Sequence, residues 1–325
     1  VNATYLDAVR RAMAEEMERD ERVLLLGEDV GVMGGAFKAS EGLLERFGRE
    51  RVVDMPISES LIVGAGVGLA VQGFRPILEM QFMDFISCGF DQVVNTAATL
   101  RYRHGGQAAC PVVIRGPAGA GVRGGLYHSQ NPEAWFTHVP GLKVVAPATP
   151  RDALGLLKSA VRDDDPVIFL EHKFLYRRIK EEIPEGDETV VPIGRALVRR
   201  EGRDVTLVTY GSPVHAALKA ARDLSREMDV EVVDLRTLAP LDWATVYGSV
   251  RKTGKLLVVH EARLTGGVGA EIAARVAQDL FADLDGPVVR LCSRDTHNAF
   301  SAPLEEYILP DQEKIVEALR RLAAW

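Results

Sequence analysis

Short apolar runs alternate with helix-period stretches from one end of this chain to the other, and that alternation confines it to layered α/β architecture. Apolar runs bounded by turn residues read as strands at Val23–Leu26, Pro76–Met80, Val112–Arg115, Val144–Ala146 and Val167–Leu170. Helical patterns lie between them. Thr4–Asp20 sets Leu6, Val9, Met13 and Met17 three and four residues apart, and Pro150–Arg162 opens on a proline, which a first turn tolerates. Ser58–Val71 and Cys88–Tyr102 read as two more helices. The segment RRIKEEIPEGDETVVPIG then breaks the rhythm: it is charged, holds two prolines and keeps no period, so it reads as an exposed linker. Strands at Val205–Tyr210, Val230–Leu235, Leu256–His260 and Val288–Leu291 follow, alternating with helices at Pro213–Met228, Trp243–Lys252, Gly267–Ala282 and Gln312–Ala323. The expected organisation is a domain over 1–177, a linker over 178–194 and a second α/β domain over 195–325.

Composition removes several function classes. At 325 residues the chain can bury two cores without metal or disulfide staples. A net charge of −7 argues against a nucleic-acid groove or an anionic membrane surface. No apolar run approaches the ~20 residues of a membrane span, and the acidic amphipathic start does not read as a signal peptide. Cys88, Cys110 and Cys292 are too scattered for a disulfide framework, and read as buried small hydrophobes in a reducing compartment.

Four places invite a chemical reading, each beside a plainer one. Gly64-Ala-Gly66-Val-Gly68 and Thr265-Gly266-Gly267-Val-Gly269 suggest dinucleotide loops, but neither is a GxGxxG, and close packing and a tight turn explain them better. Glu59 follows a strand, a proline and Ser58, a residue able to cap a new helix. Locally it is a first-turn glutamate favoured by the helix dipole. At a strand's carboxyl end in an open sheet, a desolvated carboxylate there could instead share a proton with a ligand nitrogen. Arg115–Gln130 packs five glycines behind a strand and closes on His128, either a general acid–base or an anchoring donor. Ala160–Pro166 carries Asp163, Asp164 and Asp165, a solvated turn by default and a crowded oxygen cluster otherwise. No HExxH, paired Cys/His set or GxSxG elbow is present.

Longer stretches carry a resemblance. LLLGEDVG, GAFKASEGL, DMPISES, RPILEMQFMDF, FDQVVNTAATLRYR, the loop ending HSQ, GLKVVAPATP, DVTLVTYGSPV, VEVVDLRTLAPLD and HEARLTGGVGAEIA stand in order across essentially the whole chain. Together they resemble the beta subunit of the thiamine-diphosphate-dependent, decarboxylating component of 2-oxo acid dehydrogenase complexes. The resemblance implies two doubly wound α/β domains, a pyrimidine-binding domain followed by a transketolase C-terminal-like domain. It implies oxidative decarboxylation of a 2-oxo acid and reductive acylation of a lipoyl-lysine, chemistry of the EC 1.2.4.- type. QFMDF is closer to the pattern of branched-chain enzymes than of pyruvate enzymes; pyruvate or acetoin dehydrogenase subunits and a non-catalytic scaffold remain as alternatives.

By the same resemblance Glu59 faces the aminopyrimidine of thiamine diphosphate, Phe85 and Gln81 help hold the cofactor, and His128 serves acid–base steps of acyl transfer. Glu28 joins an acidic path between cofactors. Val112, Ala160, Asp163 and Asp165 are implied as a structural site for a potassium-type ion. The chain has no GDG stretch, so Mg²⁺ and the diphosphate are expected on a separate alpha subunit, in an α₂β₂ heterotetramer that docks a lipoyl-bearing acyltransferase core. The expected setting is the bacterial cytoplasm, or the mitochondrial matrix in a eukaryote.

Overall fold

Val23–Gly27, VLLLG, is apolar on both pleat faces, the signature of a strand covered by helices on two sides. A computed structural model describes residues 2–184, 186 and 189–325 and divides them into two compact units. The first unit comprises residues 1–118 and 135–193, and the second 119–134 and 194–325.

In the first unit β1 (Asn2–Thr4) leads into α1 (Tyr5–Arg19). Thr4 and Asp7 close a capping box there, satisfying two backbone N–H groups reciprocally. Next come β2 (Val23–Gly27), α2 (Leu43–Phe47), β3 (Val52–Asp54), α3 (Glu59–Val71) and β4 (Arg75–Glu79). Two single turns, α4 (Leu100–Arg103) and α5 (Glu133–Thr137), flank β5 (Val113–Ala118). The unit continues with β6 (Lys143–Val145), α6 (Pro150–Arg162), β7 (Val167–His172) and β8 (Lys180–Glu182). Its six main strands run parallel in the order β6-β7-β5-β4-β2-β3. The chain moves outward from β2 to β3, then returns to place β4 on the other side of β2. The strand order therefore reverses between β2 and β4, and in open parallel sheets ligands bind outside the strands' carboxyl ends at that point.

The second unit holds β9 (Leu197–Arg200), β10 (Val205–Thr209), α7 (Pro213–Asp223), β11 (Val230–Asp234) and a short β12 (Thr237–Ala239). It goes on through α8 (Trp243–Thr253), β13 (Leu256–Arg263), α9 (Val268–Asp279), β14 (Val289–Ser293), α10 (Ala302–Ile308) and α11 (Gln312–Ala323). Its sheet runs β14-β13-β10-β11-β9, parallel except for β9 at the edge. Val205, Leu207, Val232 and Leu257 form its core with Ala217 and Leu224 near α7 and Ile315 and Leu319 of α11.

Several expectations need correcting. The stretch read as an exposed linker is partly core. Ile183 and Val191 are buried in the first unit, and Lys180–Glu182 pairs antiparallel with Asn2–Thr4. Single apolar residues set among charges leave no period to read. The linker's Glu185, Asp187 and Glu188 lie outside the described residues. The expected helix Cys88–Tyr102 is a 3₁₀ turn (Met83–Gly89), a π-type segment (Gln92–Ala97) and then α4. Thr99 Oγ1 donates to the Asn95 carbonyl at 2.8 Å, a back-bond that loosens helices. Gly119–Ala134, assigned by chain order to the first domain, belongs to the second compact unit. Cys88 is exposed; of the three cysteines Cys110 alone is fully buried. Gly66 lies where α3 meets the sheet, since a Cβ there would come within 2.5 Å of Leu78.

Candidate active site

Three strand ends meet at the reversal point of the first sheet. Glu28 follows β2 directly, Glu59 follows β3 after the turn Met55–Ser58, and Gln81 and Phe85 follow β4. Each reaches the crevice because a parallel strand delivers its next residues to one edge of the sheet. Of the residues that the family resemblance assigns to the cofactor, Glu28, Glu59, Gln81 and Phe85 are brought together here.

Glu28 is 6% exposed, and its Oε1 has no hydrogen-bond partner. Burial first, and then the negative charges of Glu59 and Asp29, push its carboxyl above the ordinary range. Glu59, half-buried, opens α3, where unpaired backbone N–H groups favour a carboxylate. Ser58 occupies the cap position, but its hydroxyl makes no cap bond and instead lies 3.4 Å from Ser60 Oγ. Gly89 fits against this helix start, since a Cβ there would stand 3.0 Å from the Glu59 carbonyl oxygen. The half-buried Phe85 ring packs edge-on against Phe82, centroids 6.1 Å apart, and Phe82 packs on Phe37 at 5.4 Å.

Two aspartates that sequence reading did not single out shape this crevice. Asp54, the last residue of β3, accepts the Gly31 N–H at 2.6 Å and holds the loop after Glu28. A Cβ on Gly31 would collide with that carboxylate, which explains the glycine. Asp29 sits at φ +57° and accepts from Gln81 Nε2 at 3.3 Å, so Gln81 bears on the loop beside Glu28. Non-glycine residues with positive φ cluster at functional sites. The DMPISES and GEDVG motifs contained both residues, but no spacing rule marks them.

Behind the crevice lies a buried ionic group. Arg115 of β5 pairs with Glu79 of β4 and Glu171 of β7, with Nη2 donating to Glu171 Oε2 at 2.7 Å. The Tyr176 hydroxyl donates to the same oxygen at 2.6 Å. Burial opposes the Arg115 charge, but the two carboxylates outweigh it and hold the guanidinium well above its usual range. Burial likewise pushes Glu79 up, with Arg115 acting against that push.

His128 is carried by the second unit. Its loop closes at the base where the Gly119 N–H donates to the Gln130 carbonyl at 2.9 Å. Glu261 of β13 accepts from the Ala120 N–H at 2.6 Å and from Asn131 Nδ2 at 2.9 Å. Glu305 of α10 accepts the N–H groups of Gly121 and Arg123 at 3.0 and 3.2 Å. Asn298 donates to the Ser129 carbonyl at 2.5 Å.

The implied cation corner is gathered but already engaged. Lys143 Nζ lies 2.7 Å from both oxygens of Asp163 and 3.3 Å from Asp165, and Arg101 Nε donates to Asp165 at 2.5 Å. The Val112 and Ala160 carbonyls accept the N–H groups of Val167 and Asp163 at 2.9 and 3.3 Å. Among the described residues no group of three or more His, Cys, Asp or Glu side chains is arranged to hold a metal ion. The second glycine cluster is a packing feature: Gly267 and Gly269 leave room for His260, whose ring burial holds neutral by lowering its pKa to about 4.

The fold and the crevice define a transketolase-type two-domain protein. Residues 2–178 match the family described as transketolase, pyrimidine binding domain, and residues 194–315 match transketolase, C-terminal domain. A solved split-gene transketolase, described as an inactive beta4 tetramer, superposes with a TM-score of 0.80 at 25% identity, covering 100% of this chain and 99% of that one. A 2-oxoisovalerate dehydrogenase subunit beta from Bacillus subtilis is 51% identical over 98% of both chains. The Arabidopsis thaliana mitochondrial 2-oxoisovalerate dehydrogenase subunit beta 2 is 48% identical, covering 96% of this chain and 87% of its own. A pyruvate dehydrogenase E1 component subunit beta from Bacillus subtilis is 45% identical over 98% of both. This chain belongs to the family of 2-oxo acid dehydrogenase beta subunits.

Proposed function

We propose that this chain is the beta half of a 2-oxo acid dehydrogenase that decarboxylates a branched-chain 2-oxo acid and passes the acyl group to a lipoyl-lysine. The observation that carries the reading is the crevice at the sheet's reversal point, where Glu28, Glu59, Gln81 and Phe85 converge. A buried carboxylate oxygen without a partner, on Glu28, fits a site completed by a polar ligand. Thiamine diphosphate, shared with an alpha subunit that holds Mg²⁺ and the diphosphate, supplies a carbanion-forming carbon and an electron sink when bound. Glu59 holds a proton at the aminopyrimidine ring, Phe85 offers its ring face, and Gln81 steadies the Asp29 loop. Glu28, its carboxyl pushed upward, is suited to keeping or relaying a proton beside Glu59.

His128 acts in the second half-reaction. When the lipoyl disulfide opens, one sulfur bonds the acyl carbon, which is oxidised, and the other becomes a thiol that needs a proton. His128 delivers it. The Asp163–Asp165 corner does not fit a cation as well, because Lys143 and Arg101 already meet its charge, so no step runs through an ion there.

The proposed assembly is α₂β₂ docked on a lipoyl-bearing acyltransferase core, in the bacterial cytoplasm or mitochondrial matrix. No helix among the described residues is long and apolar enough to cross a membrane. The test is reconstitution with the alpha chain, thiamine diphosphate and a lipoyl domain, comparing 2-oxoisovalerate with pyruvate. The expected result is thiamine-dependent acyl transfer with the higher kcat/KM on 2-oxoisovalerate. A preference for pyruvate would overturn the branched-chain part, and no thiamine-dependent turnover on either would overturn the whole.

A further inference from the structure

The His128 loop runs over residues 119–132 with a single 3₁₀ turn at Gly125–Tyr127, and its N–H groups at Ala120, Gly121 and Arg123 donate to side chains rather than to a sheet ladder. Side chains 130 to 184 residues further along the chain take up this loop's polar groups. Three contacts matter most. Glu305 receives two N–H groups, from residues i and i+2, on one oxygen, an anion seated in a backbone nest. Glu261 ties Ala120 to Asn131 through one oxygen, pinning both limbs. Asn298 takes the carbonyl of Ser129, the residue next to His128. Glu305 and Asn298 are themselves buried, at 5% and 8% exposure, so neither is a free surface side chain.

The backbone they hold is unusual. Gly119, Gly121, Arg123 and Gly125 all have positive φ, and Arg123 does so at +59° with a side chain. The Phe300 ring fills the space that a Cβ on Gly125 would need. The glycines take that conformation freely, but Arg123 keeps it only where its surroundings over-determine it. Bonds to carboxylates are the stronger kind for that task.

We propose that Glu261 and Glu305, with Asn298, are positioning residues that hold the His128 imidazole in register for proton delivery during acyl transfer. This rests on the reading of His128 given above. The three residues touch neither substrate nor cofactor in this scheme, and they act through the loop. Strand β13, the residues after β14 and helix α10 thereby have a catalytic consequence beyond packing: they set where one proton donor stands.

The experiment uses the enzyme reconstituted with its alpha chain and compares two readouts. One is decarboxylation coupled to ferricyanide, which needs no lipoyl group; the other is acyl transfer to a free lipoyl domain. Glu305→Ala is expected to slow acyl transfer by roughly 100-fold, the scale of an ångström-sized misplacement. The loss falls on kcat rather than on KM for the lipoyl domain and exceeds any loss of ferricyanide turnover by about tenfold or more. Glu305→Gln, which keeps the accepting oxygen, is expected to recover most of the rate. If Glu305→Ala does not assemble, Asn298→Ala, which removes one bond, is read by the same ratio. Wild-type transfer in Glu305→Ala, or a parallel loss in both readouts, overturns the clamp while His128→Ala remains impaired. Normal transfer in His128→Ala overturns the role of the histidine itself, and the clamp's purpose with it.

Discussion

The Glu28–Glu59 crevice and the His128 loop are built in opposite ways. The crevice is a by-product of topology: three parallel strands end together, and the residues after them arrive at one edge whether or not they share any other contact. One of its acids, Glu28, is buried with an oxygen left unpartnered. The loop has no sheet to place it, and side chains drawn from β13, the residues after β14 and α10 take up its backbone groups. A site that must hold a perturbed carboxyl gains from leaving it hungry for a partner. A site that must present a histidine gains from tying down the backbone on either side of it.

The sharpest way to break this contrast is Glu59→Gln. If the crevice performs the proton chemistry, ferricyanide-coupled decarboxylation falls by ~10²–10⁴-fold with assembly intact; a variant that keeps most of its rate returns Glu59 to the role of a helix-start carboxylate. Arg115→Leu probes the crevice's floor. It leaves Glu79 and Glu171 buried without their cation, and breaking a buried pair costs about 3–5 kcal/mol. Urea unfolding should show that loss, and an unmoved midpoint would mean that the ionic group is not what braces the strands. His128→Ala separates the two regions: acyl transfer drops by about 10²-fold while ferricyanide turnover continues.

The smallest effect concerns pH. Glu28 has its carboxyl raised in the folded chain, so the native state binds its proton more tightly than the unfolded state does. Stability from this group is therefore present at low pH and is lost as pH rises from the ordinary carboxylate range through the elevated one. Glu28→Gln should raise Tm above that window and match the parent chain below it. A gain of equal size at pH 3 and pH 8 would show that charge burial is not the cause.

Much of the fold was legible. Val23–Leu26 and Val167–Leu170 are apolar enough to be strands in any setting, and the structure extends them only to Gly27 and His172. Pro150–Arg162 was readable to the residue from the proline that opens it, and the structure adds a Thr149 cap. The Met83–Arg103 region was not, since short-range periodicity cannot distinguish one helix from three short turns of different pitch. Glu59 could be singled out locally as a helix-start carboxylate at a strand's end, whereas the roles proposed for Glu28 and Phe85 came only through motifs whose meaning comes from a family. The hydrogen bonds of Glu261, Asn298 and Glu305 left no trace at all in local pattern, because their partners lie more than a hundred residues away.

By itself the sequence determined the two α/β layers, the strand ends that carry Glu28, Glu59 and Phe85, and the glycines that let the His128 loop form. Hydrophobic period and turn chemistry act over a few residues, and those decisions need nothing more. Only the tertiary structure decided that Gly119–Ala134 folds with the second unit, that Lys143 and Arg101 meet the charge of Asp163 and Asp165, and that burial pushes the Glu28 carboxyl upward. Each of these depends on which distant groups are brought together, and that is settled when the chain closes on itself.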